Sequence, residues 1–234
     1  MSNKISVVII TKNEEDFIER SVKSALFADE VLVLDSGSTD QTCSKAANLG
    51  AKVFFQEWLG FGAQKNKAIK LAKHDWVFVL DADEKISPGL KNEILKIIKT
   101  SDYQAFFVPR LNMFFGKYIK HCGLYPDYSI RLFNRNIGQF NEVPVHESFQ
   151  TSCATYKLNN YIDHIAFRTV REFRNKQIKY ALLHNKKPVF AKMLLSPIWV
   201  FLKIYFLRLG FLEGWRGLII ALVYSEYTFR KYSF

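Results

Sequence analysis

The first eighty residues alternate between short apolar runs and stretches with the spacing of amphipathic helices. Residues 5–10 and 76–80 are rich in β-branched and aromatic residues and lack the alternation of a half-buried strand. This pattern is typical of strands buried on both faces of a parallel sheet. Residues 31–34 and 53–55 are shorter runs of the same kind. The pattern therefore predicts four parallel strands.

Helical periodicity fills the spaces between these runs. Apolar residues recur at helical spacing from Phe17 to Leu26, and Asn13 is positioned to cap that helix. A second helix is predicted to end near residues 46–51, and residues 64–73 form a third, basic one. The order is β-α-β-α-β-α-β, with connections short enough for right-handed crossovers.

The pattern changes after a further predicted helix at residues 89–99. Strands are predicted at residues 105–110, 129–134 and 161–167, and a helix is predicted at residues 170–185. The stretch 112–127, rich in aromatic residues and glycine, is long for a loop inside a compact domain. We therefore expect it to be functional or partly helical.

The last forty residues are mostly apolar and aromatic. An unbroken span of about twenty apolar residues would predict a transmembrane helix. Here a proline and several charges interrupt the run, namely Pro197, Lys203, Arg208, Glu213 and Arg216. We expect an amphipathic hairpin in the membrane interface, with its cations at the headgroups. The alternative is a buried helical pair packed on the rest of the protein or on another subunit. Truncation after Lys192 is expected to give a more soluble protein.

Charge and cysteine content narrow the class of protein. The 234 residues carry a formal net charge of +11, which favours anionic partners such as nucleic acid, phosphorylated substrates or an acidic membrane surface. The basic residues are dispersed, however, and no nucleic-acid recognition motif is present. Three widely spaced cysteines suggest a reducing cytosol, and no secretory signal is visible. No Gly-x-Gly-x-x-Gly follows a strand, which disfavours a dehydrogenase.

Polar side chains end three of the predicted strands: Thr11, Asp35 and Asp81. Ligands of open α/β sheets bind at the carboxyl ends of the strands. Asp81 and Asp83 are two positions apart, so in an extended chain they point the same way and repel each other unless a cation lies between them. Oxygen ligands of this kind suit Mg²⁺ or Mn²⁺. The alternative is a solvated acidic turn.

Small polar residues and a glycine follow the second of these strands. Residues 36–40 would let backbone approach a phosphate or ribose. For Asp40 a simple helix N-cap is the favoured interpretation. A second polar cluster, Glu142, His146 and Glu147, lies much later in the chain.

Joined together, these motifs resemble the family 2 glycosyltransferases of GT-A fold. The resemblance rests on residues 5–14 (ISVVIITKNE), 34–40 (LDSGSTD), 80–84 (LDADE), 125–133 (YPDYSIRLF) and 145–147 (VHE). Within that family the chain is similar to bacterial lipopolysaccharide core β-1,4-glucosyltransferases. The resemblance implies an α/β fold with a mostly parallel, Rossmann-like sheet, helices on both faces and a hydrophobic helical tail. It also implies three parts: a nucleotide-sugar half (1–104), an acceptor half (105–192) and a tail (193–234).

The resemblance also assigns roles to the first cluster of polar residues. It implies that the donor nucleotide sugar is held by Thr11, Asn13, Glu14, Asp35, Lys65 and Asp81. Asp83 is expected to bind Mn²⁺ or Mg²⁺ bridging the diphosphate, with Asp81 in the metal shell. His164 is a further candidate metal or phosphate contact, or else a buried core histidine.

The catalytic base and the acceptor contacts are less determined by the resemblance. The acid pair that supplies the base in the wider family is replaced by His146-Glu147. Glu147 is the favoured base, and His146 is the alternative because imidazole titrates near neutral pH. Asp127 and Arg131 are expected to bind the acceptor or a phosphate, unless they form a structural ion pair.

The implied activity is inverting transfer of a sugar, expected to be glucose, from a UDP-sugar to a heptose of a lipopolysaccharide or lipooligosaccharide core. The enzyme would lie in the cytoplasm, peripherally bound to the inner leaflet of the cytoplasmic membrane. One alternative is a polyprenyl-phosphate glycosyltransferase. The other is a non-catalytic membrane scaffold or sugar-binding subunit, which the intact acids disfavour.

Overall fold

The computed structural model describes residues 4–143, 147–182 and 190–233, which divide into two compact units. The first unit comprises residues 1–110 and 128–164, and the second comprises residues 111–127 and 165–234. These units differ from the expected three parts, because residues 128–164 group with the N-terminal half. The second unit contains both the 111–127 segment and the tail.

Twelve strands and seven α-helices are present in the described residues. The strands are β1 (Ile5–Thr11), β2 (Glu30–Asp35), β3 (Lys52–Phe55), β4 (Trp76–Asp81), β5 (Glu84–Ile86), β6 (Ala105–Phe114), β7 (Lys117–Tyr118), β8 (Asp127–Asn134), β9 (Gly138–Phe140), β10 (Phe149–Thr151), β11 (Thr155–Lys157) and β12 (Ile162–Phe167). The helices are α1 (Ile18–Ala25), α2 (Thr42–Asn48), α3 (Phe61–Leu71), α4 (Pro88–Thr100), α5 (Val170–Leu182), α6 (Phe190–Leu202) and α7 (Trp215–Ser233).

The main sheet has the strand order β3-β2-β1-β4-β8-β6-β12-β5. β1 pairs in parallel with β2 and β4, and β2 pairs in parallel with β3, which confirms the four predicted parallel strands. β8 and β5 then join in antiparallel pairs with β4 and β12. The chain runs outward from β1 to β3 and returns to β4 on the other side of β1. This reversal of strand order is where open α/β sheets bind ligands.

Helices cover both faces of the parallel strands, as predicted. Val7 and Ile9 of β1 pack with the apolar side of α1, α2 and α4 in one buried cluster. Val8 and Ile10 point to the opposite face and pack with Ala68 and neighbouring residues of α3. Each strand therefore buries alternate residues in two cores, which explains why the runs are apolar at nearly every position.

Some sequence-based expectations are wrong. Asn13 does not cap α1, whose N-cap is Phe17 without a side-chain hydrogen bond. Asn13 adopts a positive φ of 54° in the preceding turn instead. The stretch 112–127 was expected to be functional or partly helical, and the helical alternative is wrong: β6 extends to Phe114, β7 pairs back on it and β8 begins at Asp127.

The second unit has its own aromatic core. Phe114, Phe167 and Phe173 pack with Ile204 and Ile220 from the tail. α7 contacts both α5 and α6. The predicted helical hairpin is thus present, and one side of it is buried.

The tail also exposes many large apolar side chains, and we call these residues the apolar face. They are Phe190, Leu194, Leu195, Ile198, Trp199, Leu202, Phe206, Leu207, Leu209, Phe211, Leu212, Trp215, Leu218, Leu222 and Phe229. Within the described parts of the chain, no helix combines the length and apolar character needed to cross a bilayer.

Glu213 connects the turn between α6 and α7 to residues 117–121. Its carboxylate lies 2.8 Å from Lys117 Nζ and 2.7 Å from His121 Nδ1, and it accepts hydrogen bonds from the backbone N–H groups of Lys120 and His121. Burial by itself raises the pKa of Glu213, but these partners outweigh it and lower the pKa to about 2.

Candidate active site

Three polar residues predicted to end strands lie together at the carboxyl edge of the sheet. Thr11 is paired with Asp35, and the neighbouring Ile10 with Asp81, in the parallel register of β1, β2 and β4. The Thr11 hydroxyl is buried and has no hydrogen-bond partner among the described residues. An unsatisfied buried hydroxyl at a ligand-binding edge is a group that a ligand can complete.

Asp35 and Asn13 organise the turn that follows β2. Asp35 Oδ2 accepts from the backbone N–H groups of Gly37 (2.9 Å) and Ser38 (2.8 Å). Asn13 donates from its backbone to Ser38 Oγ at 2.8 Å, and its Oδ1 accepts from Thr39 N at 2.8 Å. Both predicted nucleotide contacts therefore shape the turn itself.

Glu14 and Asp40 anchor the starts of the two adjacent helices. Glu14 accepts through its carbonyl from the backbone N–H groups of Phe17 and Ile18, where α1 begins. Asp40 Oδ1 accepts from Thr42 N at 2.9 Å, at the first residue of α2. Asp40 thus supports the helix start with its side chain, but the N-cap itself is Gln41, one residue later than the cap interpretation placed it.

Lys65 of α3 lies between two candidate site carboxylates. Its Nζ is 3.2 Å from Asp81 Oδ1 and 2.7 Å from Glu147 Oε1. The lysine side chain is only 5% exposed, whereas those of Asp81 and Glu147 are 27% and 15% exposed. Charge–charge attraction in such a partly desolvated place is stronger than at an open surface. The structure therefore brings together the predicted diphosphate ligand and the predicted base.

The residues on either side of Lys65 fix α3 in place. Gln64, fully buried, donates from Nε2 to Ser36 Oγ at 3.0 Å. Asn66 binds both backbone groups of Phe140, donating to its carbonyl (2.9 Å) and accepting from its N–H (2.8 Å). Three consecutive polar residues thus connect α3 to the β2 turn, to the acids and to β9.

Gly62 allows the segment after β9 to approach α3 closely. A Cβ at this position would overlap the backbone carbonyl oxygen of Asn141. Asn141 in turn bonds Ser148 through backbone and side-chain groups, immediately after Glu147. The glycine is therefore part of what positions Glu147.

Arg131 completes the charge cluster. Its Nη2 lies 3.1 Å from Asp81 Oδ2 and 2.8 Å from Glu84 Oε1, and its Nε donates to Ser129 Oγ at 3.0 Å. Its Nη1 is buried without a partner among the described residues. Arg131 thus forms ion pairs with Asp81 and Glu84, which sequence reasoning did not predict.

Burial would raise the pKa of Asp81, but the charges of Lys65 and Arg131 outweigh it and hold the pKa well below its usual range. Burial would likewise lower the pKa of Arg131, but Glu84 and Asp81 raise it above its usual value. Both shifts favour the charged form of the side chain, the carboxylate of Asp81 and the guanidinium of Arg131.

Asp83 and His164 form a separate pair. His164 Nε2 lies 3.2 Å from Asp83 Oδ2, so the structure brings these two candidate metal ligands together. Across residues 4–143, 147–182 and 190–233, no three His, Cys, Asp or Glu side chains are grouped to hold a metal by themselves. Asp81, the third predicted ligand, is directed at Lys65 and Arg131 instead.

Two further predicted residues are not described as part of this cluster. His146 lies outside the described residues. Asp127 belongs to the second unit, whereas Arg131 belongs to the first. Sequence reasoning gave no role to Gln64 or Glu84. Glu84 could have been recognised as a candidate, because it is the third acid of the segment 81–84 at the end of β4.

Comparisons with known proteins agree with this architecture. The model of Glycosyl transferase family 2 matches residues 6–156. An uncharacterized glycosyltransferase of Rickettsia typhi is 32% identical over 248 residues, covering 97% of this chain and 85% of the relative. The lipopolysaccharide core biosynthesis glycosyltransferase LpsC of Rhizobium meliloti is 27% identical over 246 residues, covering 96% and 89%.

The fold is shared with a solved structure. The crystal structure of S. aureus TarS 1-349 matches with a TM-score of 0.51 at 16% identity, covering 97% of this chain and 91% of that chain. The same TarS fragment in complex with UDP-GlcNAc matches with a TM-score of 0.50. The expected α/β, GT-A fold is confirmed. Since the family model covers more than half of the residues, the chain belongs to glycosyltransferase family 2.

Proposed function

We propose that this protein transfers a hexose, glucose, from a UDP-sugar to a lipopolysaccharide or lipooligosaccharide core acceptor, a heptose, with inversion at the anomeric carbon. The relative LpsC, named for lipopolysaccharide core biosynthesis, supports this acceptor class. The TarS complex with UDP-GlcNAc supports the donor class, because it has the same fold.

One observation carries the donor assignment: two buried cations converge on Asp81 and still have hydrogen-bonding capacity. Arg131 Nη1 is buried and unbonded among the described groups, and Lys65 Nζ lies beside it on the other oxygen of Asp81. A diphosphate would supply acceptors for these donors, and charge-assisted bonds of this type are strong. The orphan Thr11 hydroxyl lies at the same edge.

The transfer is a single displacement. The acceptor oxygen attacks the anomeric carbon, the bond from that carbon to UDP breaks, and the electron pair leaves with the diphosphate. The acceptor proton goes to Glu147, whose carboxylate is partly exposed beside Lys65. Lys65 and Arg131 stabilise the charge that develops on the leaving diphosphate.

The residues present fit a divalent cation. Asp83 and His164 offer a carboxylate and an imidazole 3.2 Å apart, and Mg²⁺ or Mn²⁺ commonly uses one or two carboxylates plus substrate phosphates. When bound, the ion would neutralise phosphate charge as a Lewis acid. Asp83 and His164 would hold it and orient its remaining sites toward the substrate.

We also propose that the apolar face rests on the inner leaflet of the cytoplasmic membrane. An exposed apolar surface made of so many large side chains marks an interaction site. Lys192 and Arg208, both exposed, lie among these residues and suit anionic headgroups. Since acceptors of the proposed class are lipid-linked, membrane binding would bring the enzyme to them.

The decisive experiment measures transfer from radiolabelled UDP-glucose to truncated lipopolysaccharide, in parallel with undecaprenyl phosphate. Product on the lipopolysaccharide alone supports the proposal. Product on the polyprenyl phosphate alone would show that the protein is instead a polyprenyl-phosphate glycosyltransferase. Failure to transfer or hydrolyse any UDP-sugar, with any divalent metal, would favour a non-catalytic scaffold.

A further inference from the structure

The connection from β3 to α3 carries an exposed aromatic cluster that the chemistry above leaves unused. Five large apolar side chains are exposed here: Phe54, Phe55, Trp58, Leu59 and Phe61. Of the four aromatic residues among these five, Phe55 (68% exposed) and Trp58 (47%) are the most exposed. The Trp58 and Phe61 rings meet edge to face with centroids 4.8 Å apart. So many exposed apolar side chains within eight residues indicate a binding surface.

Hydrogen bonds hold this loop against the turn that follows β2. Gln56 donates from its backbone to the Asp35 carbonyl at 2.9 Å. The buried Gln64 donates to Ser36 Oγ at 3.0 Å and to the Gln56 carbonyl at 3.2 Å. The aromatic loop is therefore fixed beside the turn, at the carboxyl edge of the sheet.

The Phe55 ring itself contacts the turn. A Cβ added at Gly37 would lie 3.7 Å from Phe55 Cε2, which is van der Waals distance. Gly37 adopts a φ of +88°, a conformation that favours glycine. Because glycine has no side chain, residue 37 does not cover the Phe55 ring.

The position in the sheet indicates which part of a ligand reaches the loop. The strand order β3-β2-β1-β4 puts Asp81, with its diphosphate-binding cations, on one side of β1 and the aromatic loop on the other, beyond β2. Neighbouring strands are about 4.8 Å apart. In the proposed function the sugar of the donor lies at Glu147, which shares Lys65 with Asp81. A nucleoside diphosphate anchored at β4 with its sugar there extends its nucleoside the other way, along this edge toward β2 and β3.

We propose that Phe55 and Trp58 form the stacking surface for the nucleobase of the donor, which deepens the proposed function and rests on it. Stacking of a base on an aromatic side chain contributes about 1–3 kcal/mol of binding free energy per base. Glu57, between the two aromatic residues, opposes the alternative that this loop binds an anionic membrane.

The test compares binding of UDP and of inorganic pyrophosphate to the full-length protein by calorimetry. Phe55→Ala and Trp58→Ala should each weaken UDP binding about 5- to 100-fold and leave pyrophosphate binding unchanged, because only the base is lost from contact. Trp58→Phe should restore most of the affinity. Tyr156→Ala is the matched control: it removes another exposed aromatic residue of the first unit, paired with Tyr103, and should change neither affinity.

Several outcomes would overturn this inference. Unchanged UDP affinity in both alanine variants would do so, as would an equal loss of UDP and pyrophosphate binding, which indicates a distorted site. Loss of liposome binding with normal UDP affinity would reassign the loop to the membrane. Wild-type protein that binds no UDP would remove both proposals, whereas UDP binding without sugar transfer would count against the proposed function alone.

Discussion

Lys65 contributes to the site in two ways, because it touches both Asp81 and Glu147. Lys65 Nζ lies 2.7 Å from Glu147 Oε1, so the negative charge of the proposed base is balanced by the ammonium group as long as this ion pair holds. A donor diphosphate would compete for the same ammonium group. We therefore expect donor binding to weaken the Lys65–Glu147 pair and make the carboxylate available to the acceptor.

Substitution of Glu147 tests the proposed base. Glu147→Gln keeps the side-chain shape but cannot take up the acceptor proton, so transfer should fall by about 10²–10⁴. Donor affinity should change little. Lys65→Met also removes the ion pair but keeps the base, and should instead weaken UDP binding in calorimetry. A large loss for His146→Gln with near-normal transfer by Glu147→Gln would move the base to the histidine.

The cation site is tested most directly at Asp83. Asp83→Ala should abolish the gain in UDP affinity that Mn²⁺ produces, because the variant loses its carboxylate ligand. UDP affinity without metal should be nearly unchanged, and calorimetry with and without Mn²⁺ measures both. Asp75→Ala, which removes a half-exposed carboxylate paired with Arg135, is the control. Equal Mn²⁺ dependence in both variants would exclude Asp83 as a ligand.

Individual site residues were predictable where they follow a buried strand. Asp81 could be located from the sequence because its place after an apolar run puts it at the carboxyl edge of the sheet. Its partner Arg131 lies fifty residues later, and no local pattern indicates that contact. The role of Gln64 could not be predicted for the same reason, because in the sequence it is one more polar residue on a basic helix. Long-range hydrogen bonds decide the roles of both.

At the scale of elements, α3 is the scaffold of the site. It holds the β2 turn through Gln64, the acids through Lys65 and β9 through Asn66. The sequence predicted this helix but placed its start three residues late, at 64 instead of Phe61. The three-residue strands β5, β9, β10 and β11 were missed because three positions are too few to show a periodicity.

Gly62 tests the contact between α3 and the segment after β9. Gly62→Ala would push a methyl group into the Asn141 carbonyl, so that segment must shift and Glu147 with it. We expect sugar transfer to fall at least tenfold, a loss of about 1.4 kcal/mol in the barrier, while UDP affinity changes less. Ala63→Gly, which costs only helix propensity of about 1 kcal/mol, is the control. Equal transfer by the two variants would show that the contact is dispensable.

Glu213 makes the stability of the second unit depend on pH. Its pKa of about 2 in the folded protein lies below the ordinary 4.5. A lowered folded pKa gives stability that is complete above the unfolded pKa and is lost as pH falls toward the folded one, here between about pH 5 and pH 2. Urea unfolding should therefore show a gap between wild type and Glu213→Gln of about 3 kcal/mol at pH 7. A gap that stays constant down to pH 3 would contradict this assignment.

At the scale of the whole molecule, the sequence predicted the parallel sheet and the helical tail better than the grouping of segments. Apolar periodicity is local, and it is sufficient for β1 to β4 and for α7. The grouping of residues 111–127 with the tail depends on packing contacts within the buried cluster that contains both Phe114 and Ile220, which joins distant positions in the sequence. These contacts also change one expectation: truncation after Lys192 would remove Ile204 and Ile220 from the second core, so exposure of that core would oppose any gain in solubility.

Membrane binding is therefore best tested on the full chain with surface substitutions. Leu195, Ile198 and Trp199 are exposed on α6, so replacing all three by glutamine should leave the core intact. Wild-type protein should sediment with anionic liposomes and be partly released by high salt, because salt screens the headgroup attraction but not the apolar contact. The triple variant should stay in the supernatant, while a variant with Leu26 and Leu71, exposed in the first unit, changed to glutamine should sediment normally. If the triple variant still binds liposomes, or if wild type never does, the apolar face is not a membrane surface. If wild type instead dimerises and the triple variant does not, the partner of the apolar face is a second copy of the chain.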